Sequence, residues 1–280
     1  GTAFRRAHRL VSEGHATRIK IGPGTYREAV LDLDWTIGKA ADTLLVVEGV
    51  GEVRWTGADP VPAQDVRREG DLISFPWDKA WGNFAWSWGP KTLIGHRSEM
   101  VFVGDRPLRQ RILERYEVTG VQQDPAVQNQ VVHRYLETLD PAQTLQPGDF
   151  GVVERGEGRI YLKLPSDVRR PRIEVSTRKR LLDLVGKHNV VLRNLTFERC
   201  ANDDREYGSL NPVLFGAHRD KPSRNVLIDR CSFRWNSGTG LMVGGHDWTI
   251  RDSKFDYNGF AGLASTRTRN LLFQRNQTNF

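Results

Sequence analysis

Asn225-Val-Leu-Ile-Asp-Arg-Cys-Ser-Phe233-Arg-Trp-Asn236-Ser-Gly-Thr-Gly-Leu241 lines up with Asp247-Trp-Thr-Ile-Arg-Asp-Ser-Lys-Phe255-Asp-Tyr-Asn258-Gly-Phe-Ala-Gly-Leu263, an offset of 22 residues. An earlier copy runs from Asn189 to Cys200 and a later one from Asn270 to Thr278, so four copies are readable. A period of this length marks a solenoid, whose repeats bury their apolar faces only against their neighbours. Short β-branched and aliphatic runs broken by Asn and Gly make each repeat strand and turn, not paired helices. The alternating pairs Val190/Leu192, Val226/Ile228, Trp248/Ile250 and Leu271/Phe273 predict one inward strand face, and Leu195/Phe197, Cys231/Phe233 and Ser253/Phe255 a second. Asn236 and Asn258 fall at the next corner, and Gly240 to Val243 and Gly262 to Ser265 form a third side. Three short strands per repeat predict an all-β fold, a right-handed parallel β-helix.

Outward positions test this register, because parallel strands about 4.8 Å apart place equivalent side chains over one another, where like charges repel. One column reads Arg193, Asp229, Arg251; the next Asn194, Arg230, Asp252, Arg275; a third Glu198, Arg234, Asp256. The signs alternate in each. Carboxylates already matched in this way are poor candidates for catalysis.

The chain of 280 residues has room for one elongated domain with an insertion. Its net charge of +7 points to affinity for anions, such as uronic-acid or sulfated polysaccharide and less specifically nucleic acid, although an arginine-rich composition also arises without any binding role. No apolar run approaches a membrane span, and Gly1-Thr-Ala-Phe-Arg-Arg is not a signal peptide. The two cysteines, Cys200 and Cys231, occupy different positions of the repeat, which predicts two free thiols.

Thr2 to Gly14 reads as an amphipathic helix with Phe4, Ala7, Leu10 and Val11 on one face, placed to cap the open end of the solenoid. With the first coils around Arg18-Ile-Lys-Ile and Thr43-Leu-Leu-Val-Val it makes a first segment, 1–63. From 64 to 175 the period disappears and turn signals take hairpin spacing, at Pro147-Gly148-Asp149 and Pro165-Ser-Asp167, which predicts an inserted antiparallel β domain. Leu113 to Leu139 is polar and is expected to be a loop or short helix. Coils resume over 176–280 and stop in mid-repeat at Phe280, an open edge that further coils of a longer chain or another subunit would cover.

The helical cap, Pro23-Gly-Thr-Tyr-Arg-Glu28, the inserted β domain and the stacked coils together resemble bacterial β-helical proteins of the pectin-lyase-like superfamily. Arg97-Ser-Glu-Met-Val-Phe-Val-Gly-Asp-Arg-Pro-Leu108, Leu145-Gln-Pro-Gly-Asp-Phe150, Gly158-Arg-Ile-Tyr-Leu162 and Val190-Val-Leu-Arg-Asn-Leu-Thr-Phe197 resemble the branch whose glycoside hydrolases carry a β-sandwich inserted in the helix. The resemblance implies architecture over nearly the whole chain. It leaves the substrate open, since the superfamily includes hydrolases, lyases, epimerases and adhesins.

Candidate chemistry sits in three places. Val185-Gly-Lys-His188, Phe215-Gly-Ala-His218 and Val243-Gly-Gly-His246 put a histidine at the same point of three repeats, fit for acid–base work, for orienting a substrate or for binding a metal; the alternative is a structural turn ladder. Two insertions, Ala201 to Leu210 and Arg219 to Arg224, carry carboxylates outside the ladders, namely Asp203, Asp204, Glu206 and Asp220; the alternative is solvated polar loops. Trp77, Trp81, Trp86 and Trp88 crowd one stretch, either as core or as a platform for sugar rings.

The expected catalytic set is Asp203, Asp204, Asp220, His218 and His246, and the expected substrate-binding set Arg219, Arg267, Trp81, Trp86 and Trp88. No phosphate loop, dinucleotide fingerprint, zinc motif or nucleophile elbow occurs, so no cofactor and no metal are expected. The function these features predict is a secreted or periplasmic bacterial enzyme cleaving a polysaccharide, anionic ones included, as a glycoside hydrolase. A uronate-specific lyase and a non-catalytic glycan-binding or structural protein are the alternatives. Neither a nucleic-acid partner nor a membrane span is expected.

Overall fold

The computed structural model describes residues 2–31, 43–79, 81, 83–84, 96–122, 130–169, 171–202, 212–216 and 221–279. They fall into two compact units, the first made of Gly1–Ala58, Thr177–Asn202 and Leu210–Phe280 and the second running from Asp59 to Ser176.

The first unit is β-structure in parallel sheets. Thr17–Ile21 pairs with Leu45–Gly49, and His188–Arg193, Ser223–Asp229, Thr239–Arg251 and Leu263–Gln274 follow in order, every pair parallel. One rung of this sheet therefore reads Ile19, Val47, Leu192, Ile228, Ile250, Phe273, all from the face the sequence turns inward. A second parallel sheet runs Gly24–Tyr26, Val53–Thr56, Thr196–Glu198, Ser232–Arg234, Lys254–Asp256, Gln277–Asn279. Leu182–Asp183 and Pro212–Gly216 join the first half of Thr239–Arg251 in parallel, at one edge of the first sheet.

Trp55, Phe197, Phe233 and Phe255 lie on one line of the second sheet, their ring centroids 5.5, 5.2 and 5.1 Å apart and their side chains fully buried. Each such ring removes enough apolar area from water to contribute about 2 to 3 kcal/mol. Asn236 stands at the corner beyond them. Its Nδ2 donates to Asn258 Oδ1 at 2.9 Å, and its Oδ1 accepts from the Cys200 amide at 3.0 Å. The turns are built alike in every repeat, by a residue in the left-handed region. Asn189, Asn225, Asp247 and Asn270 form one such column, Asn194, Arg230, Asp252 and Arg275 a second, and Arg199, Trp235 and Tyr257 a third. Asn and Asp tolerate this conformation because their side chains bond locally.

The N-terminal helix, Thr2–Ser12, buries Phe4 and Ala7, with the Phe4 ring 5.6 Å from Trp55. It stops at Gly14, whose φ of 88° only glycine adopts readily, and the Gly14 and His15 amides return to the Val11 and Leu10 carbonyls in a Schellman cap. Cys200 and Cys231 are buried free thiols, and burial pushes the Cys231 thiol up to about 12.

In the second unit Asp149–Val153, Arg159–Lys163, Leu72–Pro76 and Arg67–Glu69 are antiparallel neighbours, and Val101–Val103 pairs with Ile173–Ser176. Two expectations change here. Arg109–Ile112 joins Asp149–Val153 in parallel, so the unit is not purely antiparallel. Leu113 to Leu139 is not a loop or helix among its described residues but a hairpin, Glu114–Gln122 against Gln130–Thr138. Where the first unit is interrupted, the Gly57 carbonyl accepts from the amides of Thr177 and Arg178 at 2.8 and 3.1 Å, so the two ends of the interruption lie side by side.

Candidate functional site

Of the residues that the sequence singles out for chemistry, His246, Arg267 and Trp81 are described; Asp203, Asp204, Asp220, His218, Arg219, Trp86 and Trp88 lie outside the described residues. Trp81 is half-buried at the edge of the second unit's core, set edge-to-face on Trp77 with centroids 5.5 Å apart. His246 and Arg267 are on the first unit.

The strand register corrects the expected stack of three histidines. His188 pairs with Arg224, Arg224 with His246, and His246 with Arg269. Phe215 pairs with Met242 and Gly216 with Val243, one residue away from the alignment that equates Phe215 with Val243. The physical reason is that the insertion ending at Arg224 delivers that residue, not His218, to the position before the corner Asn225. The column thus alternates imidazole and guanidinium. Arg224 and Arg269 are exposed, and His188 and His246 are half-buried. Partial burial, with the Arg224 charge as a lesser cause, holds the His188 pKa below its usual value, against a contact of its Nε2 with the Pro222 carbonyl at 3.3 Å.

Beside His246 the rungs approach closely. Gly245 has φ 102°, and a Cβ there would lie 2.2 Å from the Ser223 carbonyl oxygen, so no other residue fits without moving the chain. On the next strand the pairing slips: Val243 faces Ser265 but Gly245 faces Thr268, so Thr266 and Arg267 oppose Gly244 alone. This is a β-bulge, a device that re-aims a side chain. Arg267 carries φ 48° and is exposed, and it is the one non-glycine left-handed residue outside the three turn columns among the described residues. Hydrogen bonds from Ser265 Oγ to Thr268 Oγ1 (2.9 Å) and from Thr268 Oγ1 to the Val243 carbonyl (3.2 Å) fix the bulge.

The ladder carboxylates are occupied. Asp229, buried, accepts from Arg193 Nε at 2.8 Å and Arg251 Nε at 3.2 Å; Glu198, buried, accepts from Arg54 Nε and Arg234 Nε, both at 2.8 Å. Arg275 donates twice to Asp252, at 2.7 and 2.8 Å, and these bonds hold the Asp252 carboxyl below its usual pKa. In the second unit burial alone would raise Asp149, but bonds from Arg109 and Arg111 outweigh it and the pKa falls. There too the buried Arg97 is shared between Glu99 and Glu154, and Trp77 Nε1 donates to Glu99 at 3.1 Å. Tyr116 donates to Glu114 at 3.2 Å, and burial, then that carboxylate, pushes its phenol up to about 12. These are closed structural networks.

Trp235 and Tyr257, which the sequence reading passed over, stack at a corner with centroids 4.4 Å apart and planes 14° apart. Each ring covers one face of the other, and Tyr257 stays 47% exposed. A cavity of about 180 Å³ lined by Phe4, Ile19, Tyr26, Val53 and Trp55 shares no residue with the His188 to Arg269 column. Among the described residues no group of three His, Cys, Asp or Glu is placed to hold a metal ion.

No protein-family model matches this sequence, and no curated protein does. Solved structures do resemble it. The complex of XylC with xylose matches with a TM-score of 0.59 and 11% identity over 92% of this chain and 48% of that one, so the chain spans about half of XylC. A structure described as a glycoside hydrolase matches with a TM-score of 0.50 and 10% identity, over 92% of this chain and 69% of its own. At such identities the likeness is one of fold.

Proposed function

We propose that this protein is a carbohydrate-active right-handed parallel β-helix with an inserted β domain, acting on a polysaccharide outside the cytoplasm as a glycoside hydrolase. The observation that carries the reading is the likeness in fold over 92% of the chain to a protein solved with xylose and to a glycoside hydrolase. The two parallel sheets of the first unit, whose strands stack in the order of the repeats, support the β-helical winding. Acid–base work falls to Asp203, Asp204 and Asp220. Carboxylates on adjacent rungs would stand about 5 Å apart, the spacing of a retaining enzyme, and a two-rung separation approaches that of an inverting one. His218, His246, Arg219 and Arg267 would orient the glycan, with Trp86 and Trp88 as stacking groups.

One observation favours a second reading. The imidazole and guanidinium column holds the groups a uronate lyase uses: an arginine to neutralise the carboxylate and a base to take the adjacent ring proton as the glycosidic C–O bond breaks and a C=C bond forms. A panel of neutral and acidic polysaccharides, assayed together for reducing ends and for absorbance of unsaturated uronate, separates the two. New reducing ends alone support hydrolysis, and both signals support elimination. Among Asp203→Asn, Asp204→Asn and Asp220→Asn, at least one is expected to lower hydrolysis about 100-fold or more. Full activity in all three would overturn the assignment of these carboxylates.

A further inference from the structure

We propose that the column His188, Arg224, His246 and Arg269, with the bulged Arg267 beside it, is a binding strip for a polyanionic glycan bearing carboxylates or sulfates along its chain. The inference rests on the carbohydrate reading above and narrows its substrate class. It starts from an asymmetry in the first unit. The columns Arg193–Asp229–Arg251 and Arg230–Asp252–Arg275 place a carboxylate between two guanidiniums. The column before the corner asparagines holds no acid on any of its four rungs. Among the described residues Arg224, His246, Arg267 and Arg269 have no acidic partner; the neighbouring Asp247 accepts from Asn270 Nδ2 at 2.8 Å. Arg224, Arg267 and Arg269, which no acid among the described residues neutralises, call for anions from outside.

The spacing fits an extended polymer. Arg224 and Arg269 are two rungs apart, about 10 Å, with the His246 imidazole between them as a further hydrogen-bonding group. The bulge turns a third guanidinium, Arg267, to the surface opposite Gly244, one residue before the Gly245–Thr268 pair. On the same strands the outward column Val191, Leu227, Thr249, Leu272 is apolar or nearly so, with Leu272 49% exposed. A cationic stripe beside an apolar one suits a sugar chain, whose ring C–H faces are apolar and whose acidic groups lie at the ring edges. Nucleic acid fits less well. Duplex DNA carries a charge every ~1.7 Å, far denser than this strip, and single strands need exposed aromatic faces for their bases.

The test uses the full chain at low salt with four probes: polygalacturonate, chondroitin sulfate, unsubstituted xylan and a single-stranded oligothymidylate, read by affinity electrophoresis and calorimetry. At least one anionic glycan is expected to bind and to be released by salt, with Arg224→Ala/Arg269→Ala weakening it about tenfold or more. Lys254→Ala, which removes an exposed cation from the other sheet, should change it less than about twofold. Circular dichroism melts of each variant check the fold, and since the double variant relieves like-charge repulsion it should melt no lower than the parent. Equal loss in Lys254→Ala would reduce the effect to net charge and overturn the strip. So would oligothymidylate binding as tightly as the glycans. Cleavage of xylan with no retention of either anionic glycan would sink the strip and leave the hydrolase reading standing. Column-dependent retention without cleavage of any glycan would do the reverse.

Discussion

Two sets of outward residues in the first unit share one geometry and differ in charge. In the ladders Asp229 and Glu198 are buried under the guanidiniums of Arg193, Arg251, Arg54 and Arg234, whereas His188, Arg224, His246 and Arg269 line up with no carboxylate among them. In-register stacking brings equivalent residues within about 5 Å whatever they are, so the chain must either alternate their signs or find counter-charge elsewhere. The ladders take the first course and contribute to stability. The column takes the second, which makes it a surface for a partner.

That contrast can be broken in three ways. The largest effect belongs to the ladders: Asp229→Ala leaves the guanidiniums of Arg193, Arg230 and Arg251 facing one another, and urea unfolding should show a loss of about 3 kcal/mol, toward the low end for buried pairs because the arginines keep water contact. A loss below about 0.5 kcal/mol would mean that the ladders are decorative. Arg224→Asp works in the opposite direction. It turns the column into an alternating ladder between His188 and His246, and should leave stability level or raise it by about 0.5 kcal/mol while abolishing retention on anionic glycans.

The smallest effect is in pH. Because the folded His188 pKa lies below 6.5, the unfolded chain takes up that proton first, and stability declines as pH falls below 6.5 until the folded form also titrates. Asp252 is depressed below 3.8, so its contribution is present above that value and is lost as pH falls through its folded pKa. His188→Gln should flatten the upper part of the stability–pH curve and Arg275→Gln the lower; curves that superimpose on the parent would contradict both assignments.

Much of this was legible in the residues. The 22-residue copies gave the inward faces, the phenylalanine line, the asparagine corner and the charge ladders, because stacked repeats need little beyond nearest-neighbour pairing. The cationic column was readable too, as the His, Arg, His, Arg that precede Asn189, Asn225, Asp247 and Asn270. Aligning instead on the glycine before each histidine shifted His218 into it. The hairpin from Glu114 was hidden because polar cross-strand pairs hold it, Arg115 to Glu137 at 2.9 Å and Arg134 to Glu117, with Tyr116 against Tyr135, in place of apolar alternation. The parallel pairing of Arg109–Ile112 with Asp149–Val153 joins segments about 40 residues apart, beyond the reach of local pattern. The bulge at Arg267 adds one residue to one strand, which a repeat alignment absorbs as a gap.

The hydrogen bonds from Thr177 and Arg178 to Gly57 bear on how the chain folds. Leu45–Gly49 must find His188–Arg193 across an interruption of about 118 residues, and closing a flexible loop of that length costs roughly 4 kcal/mol in chain entropy. If Asp59–Ser176 folds first, its own contacts bring the two ends together and most of that cost is met before the sheet forms. Nucleation in the continuous repeats after Thr177 followed by capture of the N-terminal strands then becomes the fast route, and a variant with the interruption replaced by a short turn should fold faster than the intact chain.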